Sequence, residues 1–117
     1  MAETRMATKS GIFTGTTGAN YVEVVRVDTR GYGYQGKTLV KIRNVGGTNT
    51  IFYKIDAYLA DPTGALGGLA ENLVSETSIP TTTTISTYTV AANYAAIVIS
   101  LKNNAGASAY QVEFLTI

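Results

Sequence analysis

Ile51-Phe52-Tyr53-Lys54-Ile55-Asp56-Ala57-Tyr58-Leu59 sets the period of this chain: Ile51, Tyr53, Ile55, Ala57 and Leu59 fall on one side, Phe52, Lys54, Asp56 and Tyr58 on the other. Successive side chains of a pleated strand point to opposite faces, so alternation at two residues marks a strand with one face on a core. The period recurs upstream in Lys37 to Asn44, where Val40 and Ile42 oppose Lys41 and Arg43. Downstream, Tyr94 to Lys102 sets Ala95, Ile97, Ile99 and Leu101 against Tyr94, Ala96, Val98 and Ser100. Both of its faces are largely apolar, which predicts a central strand covered on two sides.

Working outward from these three segments, Tyr21 to Thr29 reads as a strand only if the Val24-Val25 pair carries one extra residue, a β-bulge. Asn72 to Ile79, Thr83 to Val90 and Ala109 to Ile117 complete the set, the last with Tyr110, Val112 and Phe114 on one face and Leu115 and Ile117 on the other. Gly-rich and Asn-rich stretches separate them, among them Arg30 to Gly36, Val45 to Asn49, Asp61-Pro62-Thr63-Gly64 and Asn103 to Ser108. Seven or eight short strands with turn signals between them predict an all-β, two-sheet antiparallel sandwich, immunoglobulin-like or jelly-roll-like, with Greek-key connections. Val40 to Gly47 and Ile99 to Gly106 read as two hairpins of like turn chemistry. Residues 1–19 are polar, small and Gly/Thr-rich, with Ile12 and Phe13 as the anchoring pair. They are expected to form an extended arm ahead of a sandwich domain at 20–117.

The composition narrows function mainly by exclusion. Nine basic and eight acidic residues leave a net charge of +1, too little field to concentrate nucleic acid or an anionic membrane. There is no Cys and no His, hence no disulfide, no thiol and none of the commonest general base and metal ligand. Catalysis would rest on carboxylates, Lys, Tyr, Ser or Thr, and no pair of Glu or Asp has a telling context, so the expectation is no enzyme, no catalytic residue, no metal and no cofactor. Asp56, Asp61 and Glu71 flank the longest loop without calcium-loop spacing, and Asp61 to Gly64 is first of all a turn. Gly31, Gly33 and Gly36 lack the following helix a phosphate loop requires. At the N-terminus no apolar run has signal-peptide length, and no segment has the length to span a bilayer.

What remains is surface. Tyr32, Tyr34, Phe52, Tyr58 and Tyr88 are candidate contact aromatics, because such rings offer large area at low entropic cost to a protein or to a sugar ring. Lys37, Lys41 and Arg43 form a basic stripe, read as a solvated face that guards an edge against pairing or, alternatively, as contact with an acidic partner surface.

An unsignalled Thr/Gly-rich arm, Met1 to Gly18, joined to a Cys-free, His-free sandwich with the Val40 to Gly47 and Ile99 to Gly106 turns, resembles small virion proteins of tailed phages, in particular capsid decoration or cement proteins. The resemblance implies a homo-oligomer, a trimer favoured, clamped on a major capsid protein or another virion subunit. It also implies virion localisation after synthesis in a host cytoplasm. The alternative kept open is a carbohydrate-binding or adhesive module of a fibre, with Tyr32 and Tyr34 as its stacking platform.

Overall fold

The computed structural model describes residues 6–7, 10–28, 37–46, 48–60, 67–90, 94–103 and 107–116. Among them are nine strands and no helix: β1 (Met6–Ala7), β2 (Ser10–Thr16), β3 (Val22–Asp28), β4 (Thr38–Asn44), β5 (Ile51–Tyr58), β6 (Ala70–Ile79), β7 (Tyr88–Val90), β8 (Ala96–Asn103) and β9 (Ala109–Thr116). They form a five-stranded sheet, β1-β3-β8-β5-β6, and a four-stranded sheet, β2-β9-β4-β7. The pairs β2 with β9, β3 with β8, β4 with β7 and β5 with β6 are nested and antiparallel. One long hairpin, folded at the β5–β6 turn and rolled on itself, produces that nesting. The sandwich is therefore a jelly roll, two Greek keys wound together, and the immunoglobulin-like alternative falls away.

Four sequence expectations need correction. Residues 10–16, expected in an extended arm ahead of the sandwich, form β2 within it and pair with β9 along their whole length, from Ser10↔Leu115 to Thr16↔Ala109. The expected hairpins at Val40 to Gly47 and Ile99 to Gly106 are corners between sheets, since β4 and β5 lie in different sheets, as do β8 and β9. The expected bulge is found, with the β3 register shifting between Glu23 and Val25. Thr83 to Val90 shortens to a strand at Tyr88–Val90, with an isolated bridge from Thr84 to Arg43. Leu59, expected inward, is 79% exposed, because β5 ends at Tyr58.

The core lies between the sheets, where Val25, Val27, Ile51, Ile55, Ile97, Ile99 and Leu101 meet Val40, Ile42, Val112 and Phe114. β8 is central, as its two apolar faces predict, and Ala96, Val98 and Ser100 are buried on its outer side. β2 packs differently. Its inward positions are Gly11, Phe13 and Gly15, and β9 sets Phe114 opposite Gly11 and Tyr110 opposite Gly15. A Cβ at Gly15 would stand 2.5 Å from the Tyr110 hydroxyl, so the glycines make room for rings from the neighbouring strand. Phe13 stacks on Phe114 with centroids 6.2 Å apart.

One end of the barrel-like roll is tied by Asn44, which is fully buried. Its Nδ2 donates to the carbonyls of Asn49 (2.8 Å) and Ile79 (3.0 Å). Its Oδ1 accepts from the Gly46 amide (3.1 Å) and from the Ser108 hydroxyl (2.8 Å). A single side chain thus joins the β4 corner, the end of β6 and the segment before β9, with its hydrogen-bonding capacity filled.

Candidate functional site

The pleat that buries Val40, Ile42, Val112 and Phe114 turns their alternate neighbours to the outside of the four-stranded sheet. Register aligns these in rows: Ser10, Leu115 and Leu39; then Ile12, Glu113 and Lys41; then Thr14, Gln111 and Arg43. Ile12 is 65% exposed and Leu115 41%, with Leu39 half-buried beside them. Together they floor a basin of about 400 Å³ whose far end is formed by Lys41, Glu113 and Thr87. A smaller hollow of about 180 Å³, lined by Lys41, Arg43, Thr84, Gln111 and Glu113, shares Lys41 and Glu113 with it. The two run together along β4 and β9, apolar at one end and cationic at the other.

Charges within this hollow are unevenly satisfied. Glu113 accepts a hydrogen bond from the Gln111 amide at 2.5 Å, whereas among the described residues Lys41 and Arg43 enter no ion pair. Nor do they guard a sheet edge, as one sequence reading has it: β4 lies between β9 and β7. Their exposure comes from alternation on an interior strand whose outer face is open.

On the five-stranded sheet the outer face is closed by its own side chains. The Arg26 guanidinium lies 4.9 Å from the Tyr58 ring centroid, and because β8 runs between β3 and β5 this contact spans it. Lys54 and Lys102 sit 4.7 and 4.9 Å from the Tyr21 centroid, and Lys102 is also 5.8 Å from that of Phe52. Tyr21 donates its hydroxyl hydrogen to Glu76 (2.8 Å), which pairs with Lys102 (3.1 Å). Burial first, then the hydrogen bond to Glu76, pushes the Tyr21 phenol well above its ordinary value. The same hydrogen bond, with Lys102, holds the Glu76 carboxyl below its own. Beneath this roof Arg26 is 5% exposed and paired with Glu23 at 2.7 Å, its Nε and Nη1 buried without a hydrogen-bond partner.

The residues singled out from sequence are distributed between these settings. Ile12 points outward into the basin, while Phe13 points inward and packs against the core. Phe52 and Tyr58 belong to the roof. Tyr88 pairs with Val40 and packs against the core cluster. Tyr32, Tyr34 and Ile117 lie outside the described residues. Leu39, Tyr21 and Arg26 have roles that no local pattern announces, because each depends on which strand lies alongside. Among the described residues no group of three or more Asp or Glu gathers as a metal site, and no helix is long and apolar enough to cross a membrane.

The chain is thus a jelly-roll β-sandwich module with one sealed and one open outer face. No family model matches it, and no curated protein sequence does. Among solved structures it is similar to the Yersinia pseudotuberculosis-derived mitogen, with a TM-score of 0.64 and 13% identity over 92% of this chain and 86% of that one. It is similar also to PirA, at a TM-score of 0.62 and 15% identity over 90% of this chain and 93% of that one. CorA, a surface-associated copper-binding protein of Methylomicrobium album BG8, aligns at a TM-score of 0.59 and 7% identity over 99% of this chain and 98% of that one. At such identities the likeness is one of fold.

Proposed function

We propose that the protein is a structural assembly subunit, of the capsid decoration or cement kind, that docks on a protein shell through the outer face of its four-stranded sheet. The observation that carries this reading is the basin of Ile12, Leu39 and Leu115. Small soluble domains leave apolar side chains exposed singly, and a contiguous group beside a polar rim is the signature of a protein interface. Jelly rolls serve in viral capsids and in lectins, so the architecture accommodates the role without dictating it. A subunit that binds the assembled shell and not its free components stabilises the shell by mass action, needing only a rigid module and a contact surface.

The test is reconstitution. Shells stripped of decoration, incubated with the purified chain, should regain resistance to heat or chelator, and a Leu115→Asp variant should fail to restore it. Absence of binding by the parent protein removes the proposal. The carbohydrate-binding alternative draws its support from Tyr32 and Tyr34, since the rings of Tyr21, Tyr58 and Phe52 each already carry a cation. A glycan array on which Tyr32→Ala/Tyr34→Ala binds as the parent does would eliminate it.

A further inference from the structure

The hollow on the open face has a direction, and the direction specifies what fits. Leu39, Lys41 and Arg43 occupy alternate positions of one strand, so along β4 an apolar site is followed by two cationic ones at steps of about 7 Å, roughly 13 Å in all. Glu113, the acid nearest to them by register, accepts a hydrogen bond from Gln111 and keeps its charge, so the hollow holds two cations against one carboxylate. The face therefore offers apolar area at one end and two cations without ion-pair partners among the described residues at the other.

Resting on the docking role proposed above, we infer that this hollow receives an extended acidic segment of a protein partner, laid face-on along β4 and β9. An apolar side chain of the segment fills the basin of Ile12, Leu39 and Leu115. Carboxylates two and four residues beyond it meet Lys41 and Arg43. The spacing match is direct, because an extended segment repeats its side chains on one face with the same period as the strand beneath it. Unpaired surface cations lose little on meeting a carboxylate, whereas a basic or amide side chain at either position meets like charge or a weaker bond. Such complementarity selects the partner and its register, while the apolar contact supplies most of the affinity.

An array of immobilised heptapeptides tests this with the labelled full chain. The series Thr-Leu-Thr-Xaa-Thr-Xaa-Thr, with Asp, Asn or Lys at both variable positions, is compared with peptides that move the acids to adjacent positions. Asp at the alternate spacing should be retained best and Lys least. Lys41→Ala and Arg43→Ala should each weaken retention on the order of tenfold. Raised salt should erase most of the preference. Both side chains project outward, so unchanged thermal melts establish that these variants fold. Equal retention of Asn or Lys peptides, indifference to spacing, or full retention by the two variants would overturn the inference.

Stripped shells separate it from the broader reading. Parent binding that survives Lys41→Ala/Arg43→Ala removes the acidic segment and leaves the docking role. Absence of parent binding removes the docking role, while the array still decides the inference. Sedimentation of the chain alone that shows a dimer abolished by Leu115→Asp would assign the hollow to a second copy and likewise overturn it.

Discussion

The two outer faces of this sandwich obey one rule and end in opposite states. On the five-stranded sheet the outward residues of β8 include the small Ala96, Val98 and Ser100, and long side chains close over them: Arg26 and Tyr58 from the two flanks, Lys54 and β8's own Lys102 against Tyr21. On the four-stranded sheet the central strands β9 and β4 instead point Leu115, Glu113, Leu39 and Lys41 outward. Among the described residues no comparable cover lies over Ile12 and Leu115, which remain 65% and 41% exposed. Where small residues line the middle of a sheet, neighbouring stems and rings can seal it. Where large apolar residues line it, the surface stays available to another molecule. Substitutions on the sealed face should therefore change stability, and those on the open face should change binding.

The largest effect is expected at the ion pair beneath the roof. Arg26 is nearly buried, so Glu23→Ala strands a guanidinium with even fewer acceptors and should cost about 3 kcal/mol in urea unfolding. Arg26→Met removes the charge together with its two unsatisfied donors, and its stability should stay within about 1 kcal/mol of the parent. A silent Glu23→Ala would mean that water reaches the guanidinium, and the contrast between the faces would lose its strongest term.

Next in size is the inner side of the open face. Gly15→Ala places a Cβ 2.5 Å from the hydroxyl oxygen and 2.8 Å from the Cζ of Tyr110, itself only 7% exposed. Displacing that ring should cost about 1 to 3 kcal/mol. Gly18→Ala, where an added Cβ meets nothing within 4 Å, serves as the control and should be nearly neutral. Equal melting temperatures for the two variants would show that β2 is not held by its aromatic neighbours.

The same strand shows where a sequence stops being readable. Five strands, β3, β4, β5, β8 and β9, could be read because their inward positions are chiefly Val, Ile, Leu, Tyr and Phe, giving an apolar beat of two. β2 could not, because its inward beat is Gly11, Phe13, Gly15 and the missing volume comes from Phe114 and Tyr110, about a hundred positions away. The outward direction of Lys41 and Arg43 followed from alternation alone. The basin did not, since Ile12, Leu39 and Leu115 become neighbours only through the order β2-β9-β4. Burial of Arg26 was equally hidden, as a charged residue on the outward beat reads as solvated until a roof is found above it.

Tyr21 in the roof, together with Tyr53 in the core and Tyr94, predicts an alkaline weakness. The Tyr21, Tyr53 and Tyr94 phenols are all raised from their ordinary value of 10.0, in each case first by burial. The native state holds these protons more tightly than the unfolded chain, so their contribution is complete below pH 10 and is lost as pH rises beyond it. Urea midpoints should fall above pH 10, and Tyr21→Phe should flatten part of that fall. A midpoint indifferent to pH in this range would count against a sealed face. On the acid side Glu76 is lowered, so its contribution is present above the ordinary value of 4.5 and fades as pH drops below it. Glu76 is exposed, and this effect should be the weaker of the two.

The smallest change in stability is expected where the largest change in binding should appear. Leu115→Ser on the open face exchanges an exposed apolar side chain for a polar one, and surface substitutions of this kind stay within about 0.5 kcal/mol. Its melting curve should overlay the parent's while shell binding drops. If the melt shifts as far as that of Gly15→Ala, Leu115 is packing against its own chain rather than waiting for a partner. The open face would then be a second roof, built from leucine instead of from cations over rings.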